Sequence, residues 1–118
     1  MEIRLEEPKD AEAIRRITKA AFASIEHSSQ TEAEIIDALR SAGALTISLV
    51  ATEEADVIGH IAFSPVMIEG EHLGWYGLGP VSVAPDHQKK GIGALLIREG
   101  LSRLAKAGAK GCVVLGEP

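Results

Sequence analysis

The feature that most constrains the fold of this chain is a change in the spacing of apolar residues between residues 81 and 115. Apolar and polar residues alternate over 81–83, as in a short strand, and a polar turn follows. The apolar residues of 91–107 then have the spacing of an amphipathic helix. A short apolar run at 111–115, bounded by glycine, predicts a second, buried strand. This order predicts a βαβ unit, in which the two strands are parallel and the crossover is right-handed.

The helix predicted over 91–107 has an apolar face that would pack against the sheet. That face consists of Gly93, Leu96, Ile97, Gly100, Leu101 and Leu104. Because glycine has no side chain, Gly93 and Gly100 would allow the helix to approach the sheet closely. Gly108 follows the last apolar residue of the pattern and is the expected C-cap.

A short strand and two helices are predicted before residue 46. Residues 3–5 predict the strand, Asp10 is placed to cap the first helix, and residues 31–34 match the capping box of the second. The apolar residues at helical spacing are Ile14, Ile17, Ala21, Ile35, Ile36 and Leu39. Gly43 is placed to end the second helix in a left-handed cap.

The middle of the chain predicts three strands. Residues 46–52 and 57–68 are rich in β-branched and aromatic residues and are separated by a polar turn, which predicts an antiparallel hairpin. A third strand over 73–83 is interrupted at Gly79-Pro80, where a bulge or kink is expected because proline gives no ladder hydrogen bond. The 118 residues therefore predict a single domain, 1–118, with a mixed α/β sheet in the order β-α-α-β-β-β-α-β.

Composition excludes several classes of protein. The net charge of −5 argues against a general nucleic-acid binder, which is usually basic. No apolar stretch reaches the roughly 20 residues that span a bilayer, and the charged N-terminus is unlike a signal peptide, so no membrane contact is expected. Cys112 is the only cysteine, which excludes an internal disulfide and a cysteine metal cluster and favours a cytoplasmic location. We expect it to be a buried strand residue.

The turn before the predicted helix has the features of an anion site. Gly91 and Gly93 remove side chains where the chain enters the helix, and the free N–H groups at a helix start bind anions. Lys89 and Lys90 add positive charge in an otherwise acidic chain. The sequence therefore predicts a diphosphate cradle made mainly of backbone. The P-loop pattern is absent, and Ser82 stands where a dinucleotide fingerprint beginning at Gly77 would need its third glycine.

The pattern that fits is Q-x-x-G-x-G at residues 88–93, preceded by V-x-V-x-P at 81–85. It resembles the pyrophosphate-binding motif of the GNAT superfamily of N-acetyltransferases, and the predicted order of elements matches that superfamily over nearly the whole chain. The runs 59–61, 78–80 and 115–118 are also similar to those of a bacterial subfamily of predicted N-acetyltransferases.

The resemblance implies acetyl-CoA as co-substrate, with no metal, and direct attack of an amine on the thioester. It implies that backbone groups of residues 88–94 bind the CoA pyrophosphate, that residues 81–83 pair with the pantetheine arm, and that the bulge opens a gap for the thioester. The coenzyme-binding residues would be Val81, Ser82, Val83, Gln88, Lys89, Lys90, Gly91, Ile92, Gly93 and Ala94. The acceptor would be a small-molecule or peptide amine, and a homodimer is compatible with the superfamily.

The resemblance also implies a further helix and strands after residue 118, so we expect the chain to be a fragment that is incomplete at its C-terminus. An apolar last strand would otherwise leave an exposed edge.

No catalytic residue is assigned. Tyr76 and His60 could act as a base, although packing is the expected role for Tyr76 and Trp75, and a hydrogen bond inside a strand for His60. The remaining candidates near the acceptor, for which solvated loop and capping roles are expected, are Glu26, His27 and Glu32.

Two other functions stay open on the sequence. One is a CoA-binding module without catalysis, and the other is an interaction domain whose strand edge pairs with a partner. A glycine-rich turn that binds no ligand is the simplest structural alternative for residues 81–94.

Overall fold

The fold was obtained as a computed structural model, which describes residues 1–23, 32–68 and 70–114. The strands are β1 (Glu2–Leu5), β2 (Ile47–Glu53), β3 (Asp56–Ile68), β4 (Glu71–Val83) and β5 (Gly111–Val114). The helices are α1 (Ala11–Phe22), α2 (Glu32–Ser41) and α3 (Ile92–Lys106), with short 3-10 turns at Pro8–Asp10 and Pro85–His87. Among these helices none is long and apolar enough to cross a membrane.

The five strands form one sheet in the order β1-β2-β3-β4-β5. The first three pairs are antiparallel, and β4 pairs with β5 in parallel, with α3 between them in the chain. The predicted α/β fold and its element order are therefore confirmed. The predicted capping box at 31–34 begins at Thr31, which lies outside the described residues, as do 115–118.

Different helices pack on the two faces of the sheet. On one face α3 packs against β2 and β3, with Leu49, Phe63 and Leu96 fully buried. On the other face Ile14 of α1 and Ile36 of α2 pack on β2. Each helix thus buries one stripe and leaves the opposite side to solvent, as an amphipathic helix does.

Three burial predictions were wrong. Ile35 is 47% exposed and Leu101 is 41% exposed, although both were assigned to packed faces. Neighbouring helical residues point about 100° apart, so burying Ile36 and Gly100 turns the residue beside each of them outward. The β5 strand is less buried than predicted, since Val113 is 40% exposed and Cys112 is only half-buried.

The predicted glycine roles at the ends and on the packed face of the helices are mostly confirmed. Gly43 and Gly108 follow α2 and α3 with φ of +68° and +88°, the left-handed conformation of a helix C-cap. A Cβ at Gly100 would lie 2.2 Å from Cε1 of Phe63, so the close approach of α3 to the sheet depends on this glycine. At Gly93 the nearest atom to such a Cβ would be 3.8 Å away, which is ordinary contact.

Asp10 does not cap α1 through its side chain, contrary to the prediction. A 3-10 turn precedes the helix, and Asp10 itself has helical backbone angles, so its carboxylate turns back toward β1. It accepts hydrogen bonds from Arg4 Nη1 at 2.7 Å and from the Glu7 backbone N–H at 2.7 Å. Asp10 is 4% exposed, so this ion pair ties the end of β1 to the start of α1 inside the fold.

Replacement of Asp10 by Asn is expected to lower the free energy of unfolding at pH 7 by about 2 kcal/mol, because Arg4 loses its buried counter-charge. The hydrogen bond from Arg4 holds the pKa of Asp10 below its usual value of 3.8, so this stabilisation is present above that pH and is lost as pH falls through the lower, folded-state pKa. Urea unfolding at neutral and acid pH measures both effects. The exposed Glu12→Gln is the control, and an Asp10→Asn deficit that stays constant with pH would contradict the assignment.

Candidate functional site

The junction between β4 and α3 has the backbone geometry of an anion-binding nest, a concavity formed by successive N–H groups. Gly91 is the N-cap of α3 with φ of +80°, and Ile92 continues in the right-handed helix. This left-then-right sequence turns neighbouring N–H groups toward one point. The first N–H groups of a helix have no partner within it, and the dipole of the 15-residue α3 adds positive potential there.

The glycine that forms the nest is unobstructed. A Cβ built at Gly91 would have nothing within 4 Å, so the side-chain position of this residue is free of described protein atoms. Lys89 and Lys90 lie beside it with exposed side chains, and Lys89 has a left-handed φ of +67°. The predicted cradle is therefore accessible and locally cationic, although the chain as a whole is acidic.

The predicted strand residues are divided between the two faces of the sheet. Val81 and Val83 are half-buried on the α3 face, next to Gly93. Ser82 is 1% exposed, and its hydroxyl donates to Oγ1 of Thr18 in α1 at 3.2 Å on the opposite face. Only the backbone of Ser82 is thus near the cradle. Farther along, Ile92 is buried in the core, whereas Ala94 is exposed in the first turn of α3.

Gln88 has a role that the sequence did not predict. Its side-chain Nε2 donates to the backbone oxygen of Val83 at 3.0 Å, so the amide bridges the turn rather than pointing freely into the cradle. The sequence motif identifies this position, but a hydrogen bond back to the preceding strand becomes visible only when the turn is folded.

The bulge expected at Gly79-Pro80 is present. Ile61 of β3 pairs with Val81, whereas Phe63 pairs with Leu78, so three steps along β4 face two along β3. The parallel pairing of β4 with β5 covers residues 75–78 and 111–114. Within the described part of the chain, residues 81–83 pair with β3 on one side and have no described β5 partner on the other. Residues 81–83 at the end of β4 lead directly to the nest.

His60 belongs to a buried polar network rather than to an open site. It is fully buried, and its Nε2 lies 2.7 Å from Oγ of Ser48, which in turn donates to the Glu6 carboxylate. Arg40 donates to Glu6 from Nη2 at 2.8 Å. Burial lowers the pKa of His60 to about 4, against the opposing effect of Glu6, and Arg40 lowers it further. The imidazole is therefore neutral at pH 7 and closed to substrate, as expected for a hydrogen-bonded strand histidine.

Burial of a neutral His60 is expected to make stability depend on pH. The unfolded imidazole has a pKa near 6.5 and the folded one about 4, so the unfolded chain binds more protons between these values. The stabilisation is present above pH 6.5, and about 2 kcal/mol of it is lost between pH 7 and pH 5. Urea unfolding across this range measures the slope. The variant His60→Gln, which can still donate to Ser48, should flatten it; an equal slope in both proteins would contradict this account.

Two other candidate residues, Trp75 and Tyr76, pack against neighbouring parts of the fold. The Trp75 ring lies over Gly111 of β5, where a Cβ would come within 2.3 Å of it, and Tyr76 packs beside the core under α3. Glu32 begins α2. Glu26 and His27 lie outside the described residues.

Burial raises the pKa of the Cys112 thiol, so it is not an activated nucleophile. Across residues 1–23, 32–68 and 70–114, no group of three or more His, Cys, Asp or Glu side chains could hold a metal ion.

Comparison with known proteins identifies the family. The sequence profile described as "Acetyltransferase (GNAT) family" matches residues 11–117. The chain belongs to the GNAT acetyltransferase family. Among relatives of this GNAT protein, the uncharacterized N-acetyltransferase YhbS of Escherichia coli K12 is 40% identical over 119 residues, which cover 100% of the chain and 68% of YhbS. YjhQ of the same organism is 31% identical, over 91% of the chain and 59% of YjhQ.

Solved structures share the GNAT fold closely. A GNAT family acetyltransferase from Brucella melitensis in complex with acetyl-CoA is 61% identical, with a TM-score of 0.96 over 99% of the chain and 76% of that protein. YhbS from Escherichia coli in complex with CoA is 39% identical, with a TM-score of 0.89 over 99% of the chain and 63% of YhbS. The acetyltransferase family and the coenzyme of these relatives agree with the expectation from residues 81–94.

Proposed function

We propose that this chain binds acetyl-CoA in the cradle at residues 88–94 and transfers the acetyl group to a primary amine. The observation that carries the proposal is the nest at the start of α3, where a left-handed, unobstructed Gly91 precedes the first backbone N–H groups of the helix, which have no partner within it. Diphosphate is the anionic part of acetyl-CoA that suits such a site. The acetyl-CoA and CoA complexes of the two similar GNAT proteins support the same coenzyme.

The segment of β4 between the bulge and the cradle supports the position of the rest of the coenzyme. Residues 81–83 have no described partner on the β5 side, and they run from the bulge to the cradle. An extended pantetheine arm carries amide groups that pair with such a segment as an added strand would. The diphosphate would then lie at Gly91 and the thioester near the bulge at Gly79-Pro80.

Transfer proceeds by direct attack of the acceptor. The neutral amine nitrogen forms a bond to the thioester carbonyl carbon, the carbon–sulfur bond breaks, and CoA leaves as a thiolate that takes up a proton. The nitrogen loses one proton to give the amide. Cys112 supports a route without a covalent enzyme intermediate, because it is the only cysteine of the chain and burial disfavours its thiolate. The acceptor is a small-molecule or peptide amine.

An assay of coenzyme release tests this function. The purified chain is incubated with acetyl-CoA and a panel of primary amines and peptides, and free CoA thiol is measured with mass detection of the acetylated product. We expect at least one acceptor to give product, and Gly91→Glu to give none. Binding of acetyl-CoA without transfer to any acceptor would contradict the enzymatic function and favour a CoA-binding module, whereas absence of binding would also contradict the coenzyme site.

A further inference from the structure

The turn that forms the cradle contains two left-handed residues, and only one of them is glycine. Lys89 has φ of +67° and Gly91 has φ of +80°. A left-handed conformation is unfavourable for a residue with a side chain, so other contacts must hold the turn in this shape. Lys89 and Lys90 are exposed, which means that burial does not hold them in place.

Backbone hydrogen bonds hold the first part of this turn better than its end. His87 N–H donates to the Ala84 oxygen at 2.8 Å, but Gln88 N–H reaches the Pro85 oxygen only at 3.5 Å. The Gln88 side chain makes the stronger contact, because its Nε2 lies 3.0 Å from the Val83 oxygen. This bond joins the last residue of β4 to the residue that directly precedes the left-handed Lys89.

We infer that Gln88 is a positioning residue, whose side-chain amide fixes the cradle in its anion-binding shape before the coenzyme arrives. The inference rests on the proposed function and deepens it. A donor array that is already ordered binds an anion without the entropic cost of ordering a loop. The bond also engages the Val83 carbonyl, a partial negative charge at the end of the strand that leads into the cradle.

Three variants separate the bridging hydrogen bond from other roles. Gln88→Met keeps the length of the side chain and removes the donor, Gln88→Glu replaces the donor with an acceptor, and Gln88→Lys retains a donor. We expect the first two to weaken CoA binding by about fivefold or more and the third to recover it. Binding is measured at about 0.5 M salt, where added charge is screened and the short hydrogen bond is not. Affinity for pantetheine, which has no diphosphate, should stay unchanged.

Hydrogen exchange of the free protein distinguishes positioning from direct contact. In Gln88→Met we expect the hydrogen-bonded amides on either side of the cradle, those of His87 and Leu95, to exchange faster, with an unchanged free energy of unfolding. Weaker CoA binding with unchanged exchange would overturn the inference, because it would mean that the side chain itself contacts the coenzyme. Normal binding by Gln88→Met would overturn it and leave the proposed function standing. If the original chain did not bind CoA, both would fail.

Discussion

Gly91→Glu is expected to weaken CoA binding by at least about a hundredfold. The substitution places a side chain on a residue with φ of +80°, which costs about 1 kcal/mol, and adds a carboxylate to the residue that forms the nest, where nothing blocks the side-chain position. Repulsion between that carboxylate and a diphosphate at close range adds several times this energy in a partly shielded site. Calorimetric titration with CoA measures the loss directly.

Gly108→Glu is the matched control for this prediction. Gly108 has φ of +88°, and a Cβ there would also meet nothing within 4 Å, but it follows the opposite end of α3. The two variants share the backbone strain and the added charge. Gly108→Glu should lose the more stability, because its carboxylate lies at the negative end of the α3 dipole, while only Gly91→Glu should lose CoA affinity. Equal CoA affinities of the two variants would show that the diphosphate does not lie at the start of α3.

Gly100→Ala is expected to destabilise the protein by about 3 kcal/mol, which is a large effect for one methyl group. The new Cβ would lie 2.2 Å from Cε1 and 2.4 Å from Cζ of Phe63, whose side chain is fully buried between α3 and the sheet. The ring has no free space to move into, because protein cores are close-packed. The gain of about 1 kcal/mol from replacing glycine inside a helix does not offset this overlap.

Two further variants isolate the cause of that loss. Gly93→Ala, on the same helix, would place its Cβ 3.8 Å from Val83, so it should leave the urea midpoint unchanged or raise it. Phe63→Leu shortens the ring side chain, and in combination with Gly100→Ala it should cost less than the sum of the two single changes. Additive losses would show that Gly100 and Phe63 do not share the contact inferred here.

Local patterns predicted the fold and the left-handed turn at Gly91 because both depend on neighbouring residues. Strand alternation, helical spacing and the glycines at 43, 91 and 108 act over a few positions, and each of these elements occurs where the pattern indicated. The bulge was predictable for the same reason, since Gly79-Pro80 cannot continue a regular ladder. The match of the GNAT family profile to residues 11–117 agrees with this interpretation.

Contacts between distant parts of the chain were not predictable in this way. Asp10 has the sequence context of a helix cap, but Arg4 competes for its carboxylate once β1 is folded. Ile35 and Ile36 have equal hydropathy, and only the position of α2 on the sheet decides which is buried. The bridge from Gln88 to Val83 likewise needs the complete turn.

The central claim is that the turn at residues 88–94 is a coenzyme site, and titration of the purified chain with acetyl-CoA by calorimetry tests it most directly. Desulfo-CoA, which lacks the thioester, controls for the contribution of that group to binding. ATP controls for unspecific binding of a phosphorylated nucleotide. We predict a dissociation constant well below about 1 mM for acetyl-CoA and much weaker binding of ATP. No heat with acetyl-CoA, or equal affinity for ATP, would contradict the assignment.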